Sequence, residues 1–337
     1  MLEESKEHEN ESSNIIKFCN NDFYTAIMDE DLGRIEDISS IYGINSVIKI
    51  QDGTPGQLFR KVEGESHQTA LHLSVRYKAL SAIHILANYG ADINAVDGSG
   101  MTPLHMAAGI LHKEIIASLI KKGADINAVV KHSGNTPLHL AAVAMAIKTT
   151  NTLEDNYGCI SELLEQGPEV DVMNKAGMTP LQEACSMGNK GLVDLLLRYG
   201  ANINKLSKTG ENCLFLFLDH RPNVRQTSLL VKLLSLTSPL TVYNQNGHLP
   251  STLMLPCFFK QRDQLLKLIQ QPKRLQDICK RDIYLKYVQN KREELKGILP
   301  EKLYDFIFDY CENLYNISFV TDDKQDSFDD LFHITPS

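Results

Sequence analysis

Three histidines, His72, His105 and His139, stand 33 and 34 residues apart, each closing a similar four-residue run: Thr69-Ala70-Leu71-His72, Thr102-Pro103-Leu104-His105 and Thr136-Pro137-Leu138-His139. Evenly spaced imidazoles raise the question of a metal. Equivalent residues on packed helices sit about 8–10 Å apart, whereas zinc needs each ligand at about 2 Å. Neighbouring repeats therefore cannot share one ion through these side chains. The spacing predicts instead a hydrogen-bonding histidine that ties one repeat to the next. The seven cysteines are scattered and none lies in a Cys-x-x-Cys pair, which argues against a disulfide framework or a cysteine zinc site. Cys185 and Cys213 read as small buried fillers. No phosphate-binding glycine loop, zinc-protease helix or nucleophile elbow occurs in the chain, and no pair of carboxylates has a partner motif. The sequence thus implies no enzyme, no cofactor and no metal.

A second spacing lies near the other end. Leu275, Cys279 and Ile283 fall at i, i+4 and i+8, with Ile278 widening the stripe. On a helix these residues share one face, and the rest of that helix is charged. Such a stripe must be covered, either by the end of the fold or by another chain. Leu299-Pro300 then opens a second helical stretch in which Leu303 begins an apolar face. Residues 273–300 carry eight Lys or Arg against four acids, and residues 301–337 carry nine acids against two lysines.

The elements that would position these groups follow from a period. A fourth run, Thr179-Pro180-Leu181-Gln182, and a worn fifth, Asn212-Cys213-Leu214-Phe215, extend the series with steps of 43 and 33 residues. A second signature keeps phase with it: Gly-Ala-Asp-Ile-Asn at 90–94 and 123–127, Gly-Pro-Glu-Val-Asp at 167–171 and Gly-Ala-Asn-Ile-Asn at 200–204. Two independent motifs with one period predict a stacked-repeat architecture. Within a unit, Pro103 suits a first helical turn, and Leu104, Ala107 and Ala108 give a small-residue face that lets helices approach. Ile115, Ile116, Leu119 and Ile120 give the stripe of a second helix. Gly123 is placed to end that helix in a left-handed conformation, and the link through Val130 to Gly134 reads as a hairpin-like turn. One such unit cannot bury its own apolar face, so several must stack.

These residues resemble the ankyrin repeat, over roughly 66–270. The resemblance implies an all-α solenoid of helix–turn–helix units with β-hairpin fingers, whose finger tips and inner helices bind other proteins. The expected organisation is an acidic N-terminal stretch (1–22), a degenerate capping repeat (23–50), a loop (51–65) and repeats at 66–97, 98–130, 131–174, 175–207 and a degenerate 208–271. A helical box (272–311) and an acidic tail (312–337) follow. About ten extra residues within 143–158 either lengthen the inner helix or make a loop. The last helical pair is expected between Gly247 and Gln270. Positions that the repeat pattern leaves free of packing would line the partner groove: Ser99, Met101, Asn135, Lys175, Met178 and Glu211 on fingers, with Ile110 and Met187 on inner helices.

The box is similar to a SOCS box, and the ankyrin repeat and SOCS box family ends in this way. The resemblance implies that Leu275 anchors in elongin C of an elongin B/C pair, with Ile278, Cys279 and Ile283 beside it, and that Leu299, Pro300 and Leu303 form a cullin-side element. Glu301 and Lys302 stand where that family carries an apolar residue and proline, so recruitment of cullin 5 is expected to be weak. The resemblance as a whole implies a protein partner and a role in ubiquitin ligation; a plain adaptor without that link is the other expectation.

Composition limits the alternatives. The chain has 337 residues and a formal net charge of −8, which argues against nucleic acid or an anionic membrane surface as a general partner. No stretch approaches the ~18 consecutive apolar residues of a membrane span. The acidic opening, Met1 to Ser13, is unlike a secretory or mitochondrial leader, and a reducing cytoplasmic or nuclear setting is expected.

Overall fold

The computed structural model describes residues 25–27, 29–45, 47–49, 67–147 and 153–270. They fall in two compact units, Met1–Pro180 and Leu181–Ser337. The SOCS-box-like stretch, with Leu275, Ile278, Cys279, Ile283, Leu299, Pro300 and Leu303, lies outside the described residues, as do the two acidic ends.

In the first unit a helix α1 (Leu32–Tyr42) is followed by a two-stranded antiparallel ribbon, β1 (Val47–Lys49) and β2 (His67–Thr69), with Val47 opposite Thr69 and Lys49 opposite His67. Helix pairs then alternate: α2 (Ala70–Arg76) with α3 (Leu80–Asn88), α4 (Pro103–Ile110) with α5 (Lys113–Lys121), and α6 (Pro137–Ile147) with α7 (Leu153–Glu165). Helix α4 packs on both α2 and α6, while α5 packs on α3 and α7, giving an inner and an outer row. The inner row closes up because its contact residues are small. Leu104, Ala107, Ala108, Ala141 and Ala142 are fully or almost fully buried. The outer row contributes the larger Ile83, Leu86, Ile115, Ile116 and Leu119. Of the stretch 143–158, residues up to Ile147 and from Leu153 onward are helical, and 148–152 lie outside the described residues. The 11-residue α6 and 13-residue α7 exceed the eight and nine residues of α4 and α5.

From Leu181 on, the second unit holds the rest of α8 (Pro180–Ser186), then α9 (Lys190–Arg198), α10 (Cys213–Asp219) and α11 (Thr227–Leu236). Between α10 and α11 the Asn223 side chain donates to the carbonyls of Ser186 at 2.6 Å and Phe217 at 3.2 Å. It thereby satisfies helix-end acceptors that would otherwise be orphaned. The expected last pair is only half helical. Its inner member is two 3-10 turns, Ser251–Met254 and Pro256–Phe258, followed by one helix, α12 (Phe259–Gln270). Proline at 250 and 256 explains this, since the residue before a proline is pushed out of the α conformation.

Helix α5 ends in a Schellman motif. The Gly123 N–H donates to the Ile120 carbonyl at 2.9 Å and the Ala124 N–H to Leu119 at 3.0 Å, with Gly123 at φ +92°. A side chain at Gly123 would meet nothing within 4 Å, so any cost of adding one is conformational. Gly123→Val should lower stability by at least ~1 kcal/mol and Gly123→Asn by clearly less, as urea denaturation would read. Equal midpoints for wild type and Gly123→Val would contradict the assignment.

Candidate functional site

The repeated Thr-x-x-His run is a capping device with a second output. Thr102 accepts from the His105 backbone N–H, and His105 Nδ1 sits 3.2 Å from the Thr102 N–H and 2.8 Å from Thr102 Oγ1. The other ring nitrogen, Nε2, reaches the carbonyl of Asn135 on the next finger at 3.1 Å. His72 does the same to Met101 at 3.0 Å, and His139 to Met178 at 3.0 Å. A carbonyl only accepts, so Nε2 carries the proton and Nδ1 accepts from threonine. Both nitrogens are committed, and neither has a lone pair to offer a metal. In the second unit Gln182 takes the same slot, donating from Nε2 to Lys205 and Glu211 carbonyls at 2.9 and 3.3 Å. In the worn repeat Asn212 divides the work differently. Its Oδ1 caps the Phe215 N–H at 2.8 Å and its Nδ2 donates to the Thr241 carbonyl at 2.9 Å.

A second ladder runs through the asparagines of the other motif. Asn94 Oδ1 accepts from the Asp125 N–H at 2.8 Å, Asn127 from Glu169 at 2.9 Å, and Asn204 from Ser238 at 2.8 Å. Asn45, at the end of the short first motif, accepts in the same way from Asp92 at 2.8 Å. Each finger is also locked internally. The Asp97 N–H donates to the Met101 carbonyl, and Asp97 Oδ1 accepts from the N–H of both Ser99 and Met101 at 2.9 Å. Asn174, Ser207 and Asn244 hold Met178, Glu211 and His248 equivalently. Fingers join to one another through Gly98 N–H to His67, Lys175 N–H to Ser133 and Gln245 N–H to Thr209.

The expected groove residues are therefore busier than the repeat pattern suggests. Ser99 donates its hydroxyl to Asp97 at 2.6 Å; Asn135 accepts from Asn174 Nδ2 at 3.0 Å; Glu211 accepts from the Ser207 hydroxyl at 3.2 Å. Met101, Met178 and Met187 are half-buried, and Lys175 is exposed. Ile110 departs from expectation: it is 9% exposed. Helix α4 is covered by α2, α6 and α5, so within it only Gly109 escapes full burial.

What the fingers do expose is one position earlier than their internal cap. Val96, Val129 and Met173 in the first unit, and Leu206 and Tyr243 in the second, are exposed apolar residues at the same place in successive repeats, Val96 at 64% and Val129 at 55%. Exposure alternates along each finger. Val130 is buried between exposed Val129 and Lys131, Asn174 is half-buried between Met173 and Lys175, and Ser207 is buried between Leu206 and Lys208. The apolar side chain and the lysine two residues on therefore share a face. In the second unit a cavity of about 310 Å³ opens beside Leu206 and Tyr243, with Asn204, Asn212, Thr241 and Gln245 in its wall. Aligning the repeats on their finger cap, rather than on Thr-Pro-Leu-His, would have revealed this row in the sequence.

Cys185 and Cys213 are buried thiols, and burial, reinforced by Cys213, raises the Cys185 pKa, which makes it a poor nucleophile. No helix among the described residues is long and apolar enough to cross a membrane.

Within each unit, stacked helix pairs whose fingers expose an apolar residue at the same place in successive repeats are the architecture of a scaffold for protein–protein interaction. Comparison agrees. Residues 71–156 and 145–227 match the model of the ankyrin repeat family, and these units are ankyrin repeats. Over 150 residues the chain is 33% identical to human neurogenic locus notch homolog protein 1, covering 44% of this chain and 5% of that protein. It is 28% identical over 184 residues to the mouse B-cell lymphoma 3 protein homolog, covering 52% and 37%. Against human ankyrin repeat and SOCS box protein 16 it is 30% identical over 201 residues, covering 50% and 44%. The chain thus spans less than half the length of these relatives.

Burial lowers the His72, His105 and His139 pKa values below the ordinary 6.5, partly opposed by the carbonyl each one meets. As pH falls through 6.5 the unfolded chain takes up protons before the folded one. Stability is then complete above that value and is lost below it, by at most about 1.4 kcal/mol per histidine per pH unit. Urea midpoints should therefore drop between pH 7.5 and 5.5. His105→Gln, which places at 105 the residue found at Gln182, should fold and show a shallower drop. An unchanged slope in that variant would contradict the tie.

Proposed function

We propose that this chain is a non-catalytic recognition subunit: its ankyrin fingers hold a protein partner, and its SOCS-box-like segment couples that partner to an elongin-containing ubiquitin ligase. The observation that carries the recognition half is the in-register set Val96, Val129 and Met173, exposed on three consecutive fingers whose backbones accept hydrogen bonds from buried histidines. A finger backbone already held in place loses little further freedom on binding, which favours affinity per unit area. Support for the ligase half comes from the Leu275–Cys279–Ile283 stripe, from Leu299-Pro300 some twenty residues on, and from the SOCS box in the name of one relative. The cysteines among the described residues are free thiols, Cys159, Cys185 and Cys213 buried and Cys257 exposed, which suits a reducing intracellular setting.

A second reading, a plain adaptor whose stripe caps its own fold, is favoured by one observation. Met254, Leu255 and Phe259, at the last described elements, leave apolar surface exposed, which on this reading is what the Leu275–Cys279–Ile283 stripe meets.

One experiment separates the two. A Leu filling a pocket contributes roughly 1.5–3 kcal/mol of burial, and about 2.8 kcal/mol is a hundredfold in affinity. On the ligase reading, Leu275→Ala should abolish co-purification of elongins B and C from cells and leave thermal stability unchanged. On the capping reading the same change should lower the melting temperature, and the wild type should capture no elongin. Cullin 5 should co-purify weakly with the wild type because of Glu301 and Lys302. For the fingers, Val129→Glu with Met173→Glu should remove the proximity-labelled partners without unfolding the protein; retention of every partner would contradict the docking row.

A further inference from the structure

The finger row has a charge as well as an apolar character. On the second finger Val129 is followed two residues later by Lys131, with His132 next. On the third, Met173 is followed by Lys175, and both lysines are exposed. Residues 128–136 and 172–179 contain no acid at all. Asp97, the one carboxylate on the first finger, is buried and occupied with Ser99 and Met101. This is a basic, apolar strip on a chain whose formal net charge is −8. The second unit repeats the pairing at Leu206 and Lys208. A ligand for such a strip must combine carboxylates with spaced apolar side chains.

One segment of this chain has that composition. Residues 322–334 hold five aspartates, Asp322, Asp323, Asp326, Asp329 and Asp330, against the single Lys324, interleaved with Phe328, Leu331, Phe332 and Ile334. Phe328 lies 58 residues beyond Gln270, a contour length on the order of 190 Å. We propose that the acidic, aromatic segment 322–334 docks on the Val96–Val129–Met173 strip of its own chain, its aspartates facing Lys131 and Lys175, and so competes with the protein partner for the fingers. This rests on the reading of the fingers as the docking surface and names the ligand chemistry they accept. Tethering makes the contact intramolecular, so a weak interaction suffices to occupy the strip. Its ionic share is screened by salt, so the contact loosens as ionic strength rises.

The test uses the full chain. A carbodiimide joins a lysine amine to a carboxylate only where the two touch, and peptide mass spectrometry reads the link. Cross-links from 322–330 to Lys131 and Lys175 should exceed those to Lys121, an exposed lysine at the end of α5, by at least tenfold. They should occur within single chains in a mixture of isotopically light and heavy protein, and decline in 0.5 M salt. The double variant Phe328→Ser, Phe332→Ser, which keeps every charge, should lower them at least tenfold and raise partner capture. Equal linkage to Lys121, unchanged linkage in the aromatic variant, or linkage only between chains would overturn the proposal. None of these results touches partner loss in the Val129→Glu, Met173→Glu variant, so failure of the tail contact and failure of the docking surface remain distinguishable.

Discussion

The fold depends on a short hydrogen bond from the first turn of one helix to the finger of the next repeat. Stacking buries His72, His105 and His139 completely and turns their Nε2 toward the half-buried carbonyls of Met101, Asn135 and Met178, and a buried polar group left without its partner costs about 1–3 kcal/mol. The donor must come from a side chain that also closes its own helix start. Histidine meets both demands because its nitrogens lie on opposite edges of one rigid ring: Nδ1 turns back to threonine and Nε2 points forward to the finger. Glutamine at 182 supplies the forward bond, and Asn212 supplies cap and bond from the cap position itself. The burial that makes the bond strong also keeps the imidazoles neutral, so the joint suits neutral pH and weakens in acid.

Function follows from what that joint leaves over. With the finger backbone held by histidine, asparagine and its own internal cap, the side chains just before the cap have no packing to do. They are apolar in all five fingers, from Val96 to Tyr243, where solubility alone would favour polar residues. On the proposed reading these exposed apolar groups, three of them followed two residues on by a lysine (Lys131, Lys175 and Lys208), form the recognition surface. The same chemistry appears, inverted in sign, in the aspartate-rich segment around Phe328.

The repeat, its helices and the structural role of the histidines were legible because each is written in local residue types at fixed spacing: threonine and proline at a helix start, small residues on the inner face, glycine at Gly123. The lengthening of α6 and α7 was open, because an insertion next to a helix extends it or loops out according to what it packs against. Ile110 was misplaced because its burial is set by neighbours on both sides of α4. Ser99, Asn135 and Glu211 looked free because their partners, Asp97, Asn174 and Ser207, are engaged by side-chain geometry that no periodicity encodes. The asparagine ladder that begins at Asn45 was visible as a motif and invisible as a bond, since its acceptors and donors lie 31 to 47 residues apart.

The joint between repeats rests on the protonation and orientation of three imidazoles, which nitrogen-15 NMR of the histidine rings reads directly. At pH 7.5 the account predicts that His72, His105 and His139 are neutral, protonated at Nε2 and slow to exchange that proton with water. Rings protonated at Nδ1, or exchanging as fast as the exposed His220 and His248, would mean that the fingers are held by something else.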